Sequence, residues 1–246
     1  MLKKLLPLAL ASLFVATVNA DEADIKKAME AKLGAKVESV TKSGYLGLYE
    51  VYSEGNILYT DDKMTAFIAG GQLIDGKTMK NVTEERMRKL TAIKFSELPL
   101  DRAIKQVRGD GKRVLATFED PNCGYCKRLA KDLLNPDNVE IYTFLYPIDT
   151  LHPDAARKSR QIWCAADRTK AWDDFFATGA LPDNKGDCDN PVAKLAELGA
   201  KYRVNATPTV VFADGSIVPG AMPAQRIEQE LKTADAEAKK LAAAKK

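Results

Sequence analysis

Histidine is nearly missing from this chain of 246 residues: it occurs once, as His152, and cysteine occurs only four times. That scarcity narrows the metal chemistry. A zinc site takes four Cys, His or carboxylate ligands. The single C-x-x-C, Cys123 and Cys126, supplies two, and Cys164 and Cys188 stand too far apart to form a second knuckle. No metal or other cofactor is expected. Long apolar runs are also lacking: the stretch from Leu5 to Val18 falls short of the ~20 residues that span a bilayer, and nothing else comes close. Neither sign of charge is in excess, with 37 Lys and Arg against 34 Asp and Glu. Such a balance gives no electrostatic ground for a nucleic-acid or anionic-membrane partner. Internal repeats and low-complexity blocks are absent too, apart from the tail "AEAKKLAAAKK".

What is present begins with "MLKKLLPLALASLFVATVNA". Two lysines, an apolar run and the small-residue end Val18-Asn19-Ala20 have the order of a secretory signal peptide, so residues 1–20 are expected to be cleaved after Ala20. Without Lys3 and Lys4 the remaining chain carries a net charge of only +1. It is expected in an oxidising compartment, where disulfides persist.

In "ADIKKAMEAKL", Ile25, Met29 and Leu33 fall at helical spacing, with Gly34 as a stop. Short segments rich in β-branched and aromatic residues come next, punctuated by turns at Ser43-Gly44, Gly55-Asn56, Asp61-Asp62 and Gly70-Gly71. A helix and an antiparallel meander of this size bury little surface alone, and an exposed edge strand offers a partner. "NVTEERMRKLTAI" reads as a helix with acids first and bases later, as the macrodipole favours. It is either a linker between domains or a helix packed on the second domain. Beyond it, "LPLDRAIKQV" is expected to be helical, with Pro99 in its first turn. "RVLATF" reads as a buried strand, "CKRLAKDLL" as a helix and "VEIYTFLY" as a second strand. A helical region from about 153 to 203 is broken by "TGALPDNKGDCDNP"; then come a hairpin around Asp214-Gly215 and a closing helix, "AQRIEQELKTA". Strands alternating with helices predict an α/β domain.

Cys123 falls where that first strand ends and the helix begins. Unpaired amide N–H groups and the helix dipole favour an anion there, so the spacing predicts a stabilised thiolate with a lowered pKa. Cys126, one turn on, is close enough to attack a mixed disulfide on Cys123, and Gly124 and Tyr125 between them add no charge. A structural disulfide is the alternative, although so short a loop stabilises little; a four-cysteine zinc site is the other. Cys164 reads as lying within a helix and Cys188 in an irregular polar stretch. Bridging them closes a loop of about 25 residues, worth roughly 3.5 kcal/mol in the chain-entropy treatment. Of the three possible pairings, local spacing favours Cys123 with Cys126 and Cys164 with Cys188, the latter structural rather than a second redox pair.

Strand, C-x-x-C, helix, helical insert and then Thr207-Pro208 before a strand: this order resembles the thioredoxin superfamily. "CGYC", the "LYTDD" turn, the helix after the meander and two further cysteines in the insert resemble, within it, the DsbC/DsbG family of periplasmic disulfide isomerases. The resemblance implies a thioredoxin-like α/β fold with a helical insertion, plus a small α+β N-terminal dimerisation domain and a linker helix. The corresponding bounds are residues 21–80 for dimerisation, 81–94 for the linker, 95–235 for the catalytic domain and 236–246 for a frayed tail. It implies a homodimer in the periplasm that acts on misfolded disulfide-containing proteins, kept reduced by a membrane thiol reductase of the DsbD type. Cys123 would be the nucleophile and Cys126 the second thiol. Gly124, Tyr125, Thr207 and a cis Pro208 would support them, leaving the Thr207 backbone to pair with an extended substrate.

One position departs from the superfamily. Six residues before the first cysteine, where thioredoxins and DsbA-type oxidases carry a buried acid, stands Thr117. Glu119 and Asp120 lie near it but read as differently phased, so the proton acceptor for Cys126 stays unassigned. An oxidase of the DsbA type and a DsbG-like chaperone or reductase are the alternative functions. The first is expected to be monomeric without an N-terminal domain, and Gly124 argues against the second.

Overall fold

The computed structural model describes residues 21–243. The expected signal peptide, residues 1–20, lies outside the described residues. The chain divides into two compact units between Met87 and Arg88.

In the first unit, helix α1 (Glu22–Leu33) starts where the Asp21 carboxylate accepts the Asp24 N–H at 2.8 Å. It ends at Gly34, whose φ of 63° suits a residue without a Cβ. Ile25 and Met29, one turn apart, are fully buried against Val37, Val40, Tyr49 and Val51. Those residues belong to an antiparallel meander of β1 (Val37–Lys42), β2 (Tyr49–Ser53), β3 (Asn56–Thr60) and β4 (Phe67–Ala69), in that spatial order. All three residues of the edge strand β4 are exposed. Helix α2 (Val82–Leu90) contains the division between the units. Its first turns are tied to the meander: the Arg86 guanidinium grips the buried Glu50 carboxylate with two nitrogens, and the Tyr59 and Thr83 hydroxyls meet at 2.7 Å. A buried carboxylate held in this two-point geometry is a charge that has found its partner.

The second unit is built on five strands in the order β5-β7-β6-β8-β9. These are β5 (Ile104–Arg108), β6 (Arg113–Glu119), β7 (Val139–Leu145), β8 (Thr209–Phe212) and β9 (Ile217–Pro219). Only β6 and β7 run parallel, and a parallel pair needs a crossover. Helix α3 (Gly124–Asp132) provides it. Alternation along β6 sends Leu115 to one face and Ala116 and Phe118 to the other. Leu115 joins Leu129 near the end of α3 and Ile227 and Leu231 of α7 (Ala224–Ala243). Phe118 packs with Phe144 and with the helical insertion between β7 and β8, namely α4 (Ala155–Trp163), α5 (Arg168–Thr178) and α6 (Val192–Lys201). Helices therefore cover both faces. The sheet's central strand delivers its last residues, and the cysteines after them, to one end of a dry core.

Three local expectations are corrected. Residues 104–107 form strand β5, not a helix: the helical pattern is spent in a single 3-10 turn (Leu100–Arg102), and the β-branched Ile104 and Val107 pair with β7 instead. Cys164 caps the end of α4 rather than lying inside a helix. The closing helix continues through the segment expected to fray, as far as Ala243. Its Ala-rich composition favours helix, and Lys239 and Lys240 pair with Asp235 and Glu237 one turn back.

Candidate active site

Past the end of β6 the chain turns sharply. Asp120 makes the turn: its carbonyl accepts the Cys123 N–H at 3.0 Å and its Oδ1 accepts the Asn122 N–H at 2.7 Å. Cys123 is the N-cap residue of α3, and its carbonyl starts the helix by accepting from Lys127 N–H at 3.1 Å. The Cys123 sulfur is not used as a cap. Its thiol donates to the Thr207 carbonyl at 3.2 Å, across 84 positions of sequence. The Thr207-Pro208 peptide is cis. Both Cys123 and Cys126 carry free thiols.

A cleft of about 570 Å³ opens at this point. Cys123, Gly124, Tyr125, Arg128, Ile148, Leu151, His152 and Thr207 are among the residues lining it. Tyr125 and Leu151 are large side chains left exposed at its margin. Cys126 is not part of that lining: it is completely buried behind Cys123, where its sulfur accepts the Asp120 N–H at 3.5 Å.

The two thiols thus face different surroundings. Burial, reinforced by the nearby Glu119 carboxyl, pushes the Cys126 thiol far above the ordinary thiol range. Glu119 is itself buried, and burial lifts its carboxyl to about 7, against the pull of the Thr117 and Thr143 hydroxyls. Thr117 donates to Glu119 Oε1 at 2.7 Å, while Oε2 is buried with no hydrogen-bond partner. Register explains the hydroxyl pair, since Thr117 lies opposite Thr143 in the β6–β7 ladder. The expectation that Glu119 is differently phased is corrected here. On a strand of period two, positions 117 and 119 share a face, so the carboxyl points where Thr117 points, one step nearer the cysteines.

Asp120, fully buried, faces another way. Its Oδ2 accepts the Ile148 N–H at 2.8 Å and lies 3.0 Å from His152 Nδ1. Lys158 of α4 donates to Asn122 Oδ1 at 2.7 Å. The turn carrying Cys123 is therefore fastened to the loop after β7 at several points.

Cys164 and Cys188 form a disulfide in the helical insertion, with Cα atoms 5.8 Å apart. Around it, Trp163 Nε1 donates to the Asp189 carbonyl at 3.2 Å, and the Arg168 guanidinium stacks 3.7 Å from the Trp163 ring centre. Among the described residues no cluster of His, Cys, Asp and Glu is arranged to hold a metal ion, and no helix is long and apolar enough to cross a membrane. Of the residues singled out from sequence, Cys123, Gly124, Tyr125 and Thr207 meet at the cleft, with Pro208 next in the chain. Sequence reasoning missed the Asp120–His152 couple, whose members are 32 positions apart. Their one signal was that the chain's sole histidine is followed closely by a helix packed on the cysteine turn.

Residues 100–235 match the family described as a thioredoxin-like domain, and residues 16–84 match a disulfide bond isomerase protein N-terminal domain. The chain is 48% identical to the probable thiol:disulfide interchange protein DsbC of Bordetella parapertussis, over 80% of this chain and 69% of that one. To the thiol:disulfide interchange protein DsbC of Salmonella typhimurium it is 31% identical, over 86% and 87% of the two chains. A solved disulfide interchange protein from Neisseria gonorrhoeae is 44% identical, covers 56% of this chain and 98% of its own, and superposes with a TM-score of 0.54.

Proposed function

Because the chain belongs to the DsbC family of thiol:disulfide interchange proteins, with a thioredoxin-like domain, we propose that it rearranges incorrect disulfides of secreted proteins through Cys123 and Cys126. One observation supports this above the rest: the Cys123 sulfur lines an open cleft, and Cys126 is sealed behind it beside a buried carboxyl. Cys123 stands at the N-terminus of α3 and faces the cleft. It attacks one sulfur of a substrate disulfide, forming a mixed disulfide and releasing the other substrate sulfur as a thiolate. The mixed disulfide has two exits. A different substrate thiolate attacks it, forms a new substrate disulfide and restores Cys123. Alternatively Cys126 gives its proton to Glu119, attacks Cys123 and releases reduced substrate, leaving a Cys123–Cys126 disulfide. Two electrons from a membrane dithiol reductase of the DsbD type then regenerate the pair.

The setting for this chemistry is the periplasm, and the working form is a homodimer joined through the N-terminal unit. The match of residues 16–84 to an isomerase N-terminal domain weighs against a monomeric oxidase. Refolding of a scrambled multi-disulfide protein, run beside light scattering, tests the whole reading. Wild type should restore native pairing as a dimer, and C123S should not raise recovery above the uncatalysed rate. Full recovery by C123S would remove Cys123 from the mechanism.

A further inference from the structure

The two exits from the mixed disulfide need protons moved in different places. Glu119 serves the buried side, where Cys126 is. The open side has a titratable group of its own. His152 lines the cleft with Cys123, and its side chain keeps 30% of its exposure, so substrate can reach the ring. Its Nδ1 is held 3.0 Å from Asp120 Oδ2. Asp120 is fully buried and already accepts the Asn122 and Ile148 N–H groups, which fixes the carboxylate in place. A carboxylate on one ring nitrogen keeps the proton there and orients the ring, leaving Nε2, on the opposite edge, as the acceptor. Besides Asp120 on Nδ1, the charged and titratable side chains that line the cleft with the ring are Cys123, Tyr125 and Arg128. Residues 205–207, which line the cleft from the far side, bring no charge.

Resting on the proposed exchange at Cys123, we propose that His152 moves the proton of the substrate's own sulfurs, with Asp120 as its positioning residue. On entry, the Cys123 thiolate breaks the substrate disulfide, and the departing thiolate takes the proton of the imidazolium to become a thiol. On exit, neutral Nε2 takes the proton of a substrate thiol as that sulfur attacks the mixed disulfide. The new substrate disulfide forms and Cys123 leaves as the thiolate. Electrons and protons balance within substrate, Cys123 and His152, and no outside oxidant or reductant enters. The assignment gives the isomerisation exit a base separate from that of the reductive exit.

The test uses the C126S background, where only a substrate thiol can open the mixed disulfide. A peptide bearing one extra thiol is trapped on Cys123, and its release is timed across pH for C126S, C126S/H152Q and C126S/H152A. General acid–base groups contribute on the order of 100-fold or more. Both double variants should slow release by about that factor and lose one ionisation from the profile, and added imidazole should restore release in C126S/H152A but not in C126S/H152Q. D120N, which keeps the ring but loosens its hold, should fall between. Equal release rates with the same pH profile in C126S and C126S/H152Q would overturn the proposal, as would slow release that imidazole fails to rescue in C126S/H152A with unchanged thermal unfolding. If no mixed disulfide forms in C126S at all, the function it rests on is wrong, and the two failures are told apart at that step.

Discussion

Cys164 and Cys188 are joined across 24 positions of sequence, whereas Cys123 and Cys126, three positions apart, carry free thiols. Both pairs belong to one folded unit, and the contrast between them lies in loop length and surroundings. The bridged pair closes a long loop; Cys164 packs against the core that contains Trp163, while Cys188 is exposed. The bond between them constrains the unfolded chain. A bond between Cys123 and Cys126 closes almost no loop, so the fold gains little from it. Around those sulfurs the structure has instead a cleft on one side and a buried carboxyl on the other. A cysteine pair whose bond the fold does not need is free to make and break it.

Four variants would break or sharpen that contrast. Changing Cys123 to Ser should have the largest effect, ending exchange while leaving the urea midpoint close to wild type. A large drop in midpoint would mean the reactive pair also holds the fold. The double variant C164A/C188A should do the reverse, losing roughly 3.5 kcal/mol of stability in urea titrations while still restoring native disulfides wherever it remains folded. Loss of exchange in folded C164A/C188A would make the second pair part of the chemistry.

Next comes E119Q. The Glu119 carboxyl is raised from 4.5 to about 7 on folding. Between those values the folded chain keeps a proton that the unfolded chain has released, so stability is full below 4.5 and is lost as pH rises through 7. For a fully buried group the loss is on the order of 3 kcal/mol. E119Q, with nothing to ionise there, should lack that decline when urea titrations at pH 5 and pH 8 are compared. Its Cys126 exit should also be slower, and a shared slope with wild type would separate Glu119 from both roles. The smallest effect is expected of T117V, which removes one hydrogen bond to Glu119 at a cost of about 1 kcal/mol. It should also move the Glu119 ionisation further upward, read by titrating the carboxyl.

Sequence carried the pieces whose logic is local. Ile25 and Met29 one turn apart, Gly34 at a helix end and the C-x-x-C after a β-branched run are each legible within a dozen residues. Strand β5 was not, because "DRAIKQV" suits a helix until β7 offers its row of hydrogen-bonding groups. Glu119 was misread for want of the strand's exact extent: only when β6 is seen to run as far as Glu119 do positions 117 and 119 fall on one face. The grip of Asp120 on Ile148 and His152 depends on two loops meeting, which spacing along the chain does not record.

One contact in the cleft makes the reactive sulfur's condition visible to the wall opposite it. The Cys123 thiol donates to the Thr207 carbonyl at 3.2 Å, and it can do so only while it holds a proton. Once that hydrogen is gone, by ionisation or by bonding to a visitor's sulfur, the carbonyl oxygen wants a new donor. Under the proposed exchange, a main-chain amide of the visitor itself could fill that place. Capture of a client's sulfur and the seating of its backbone would then be one event.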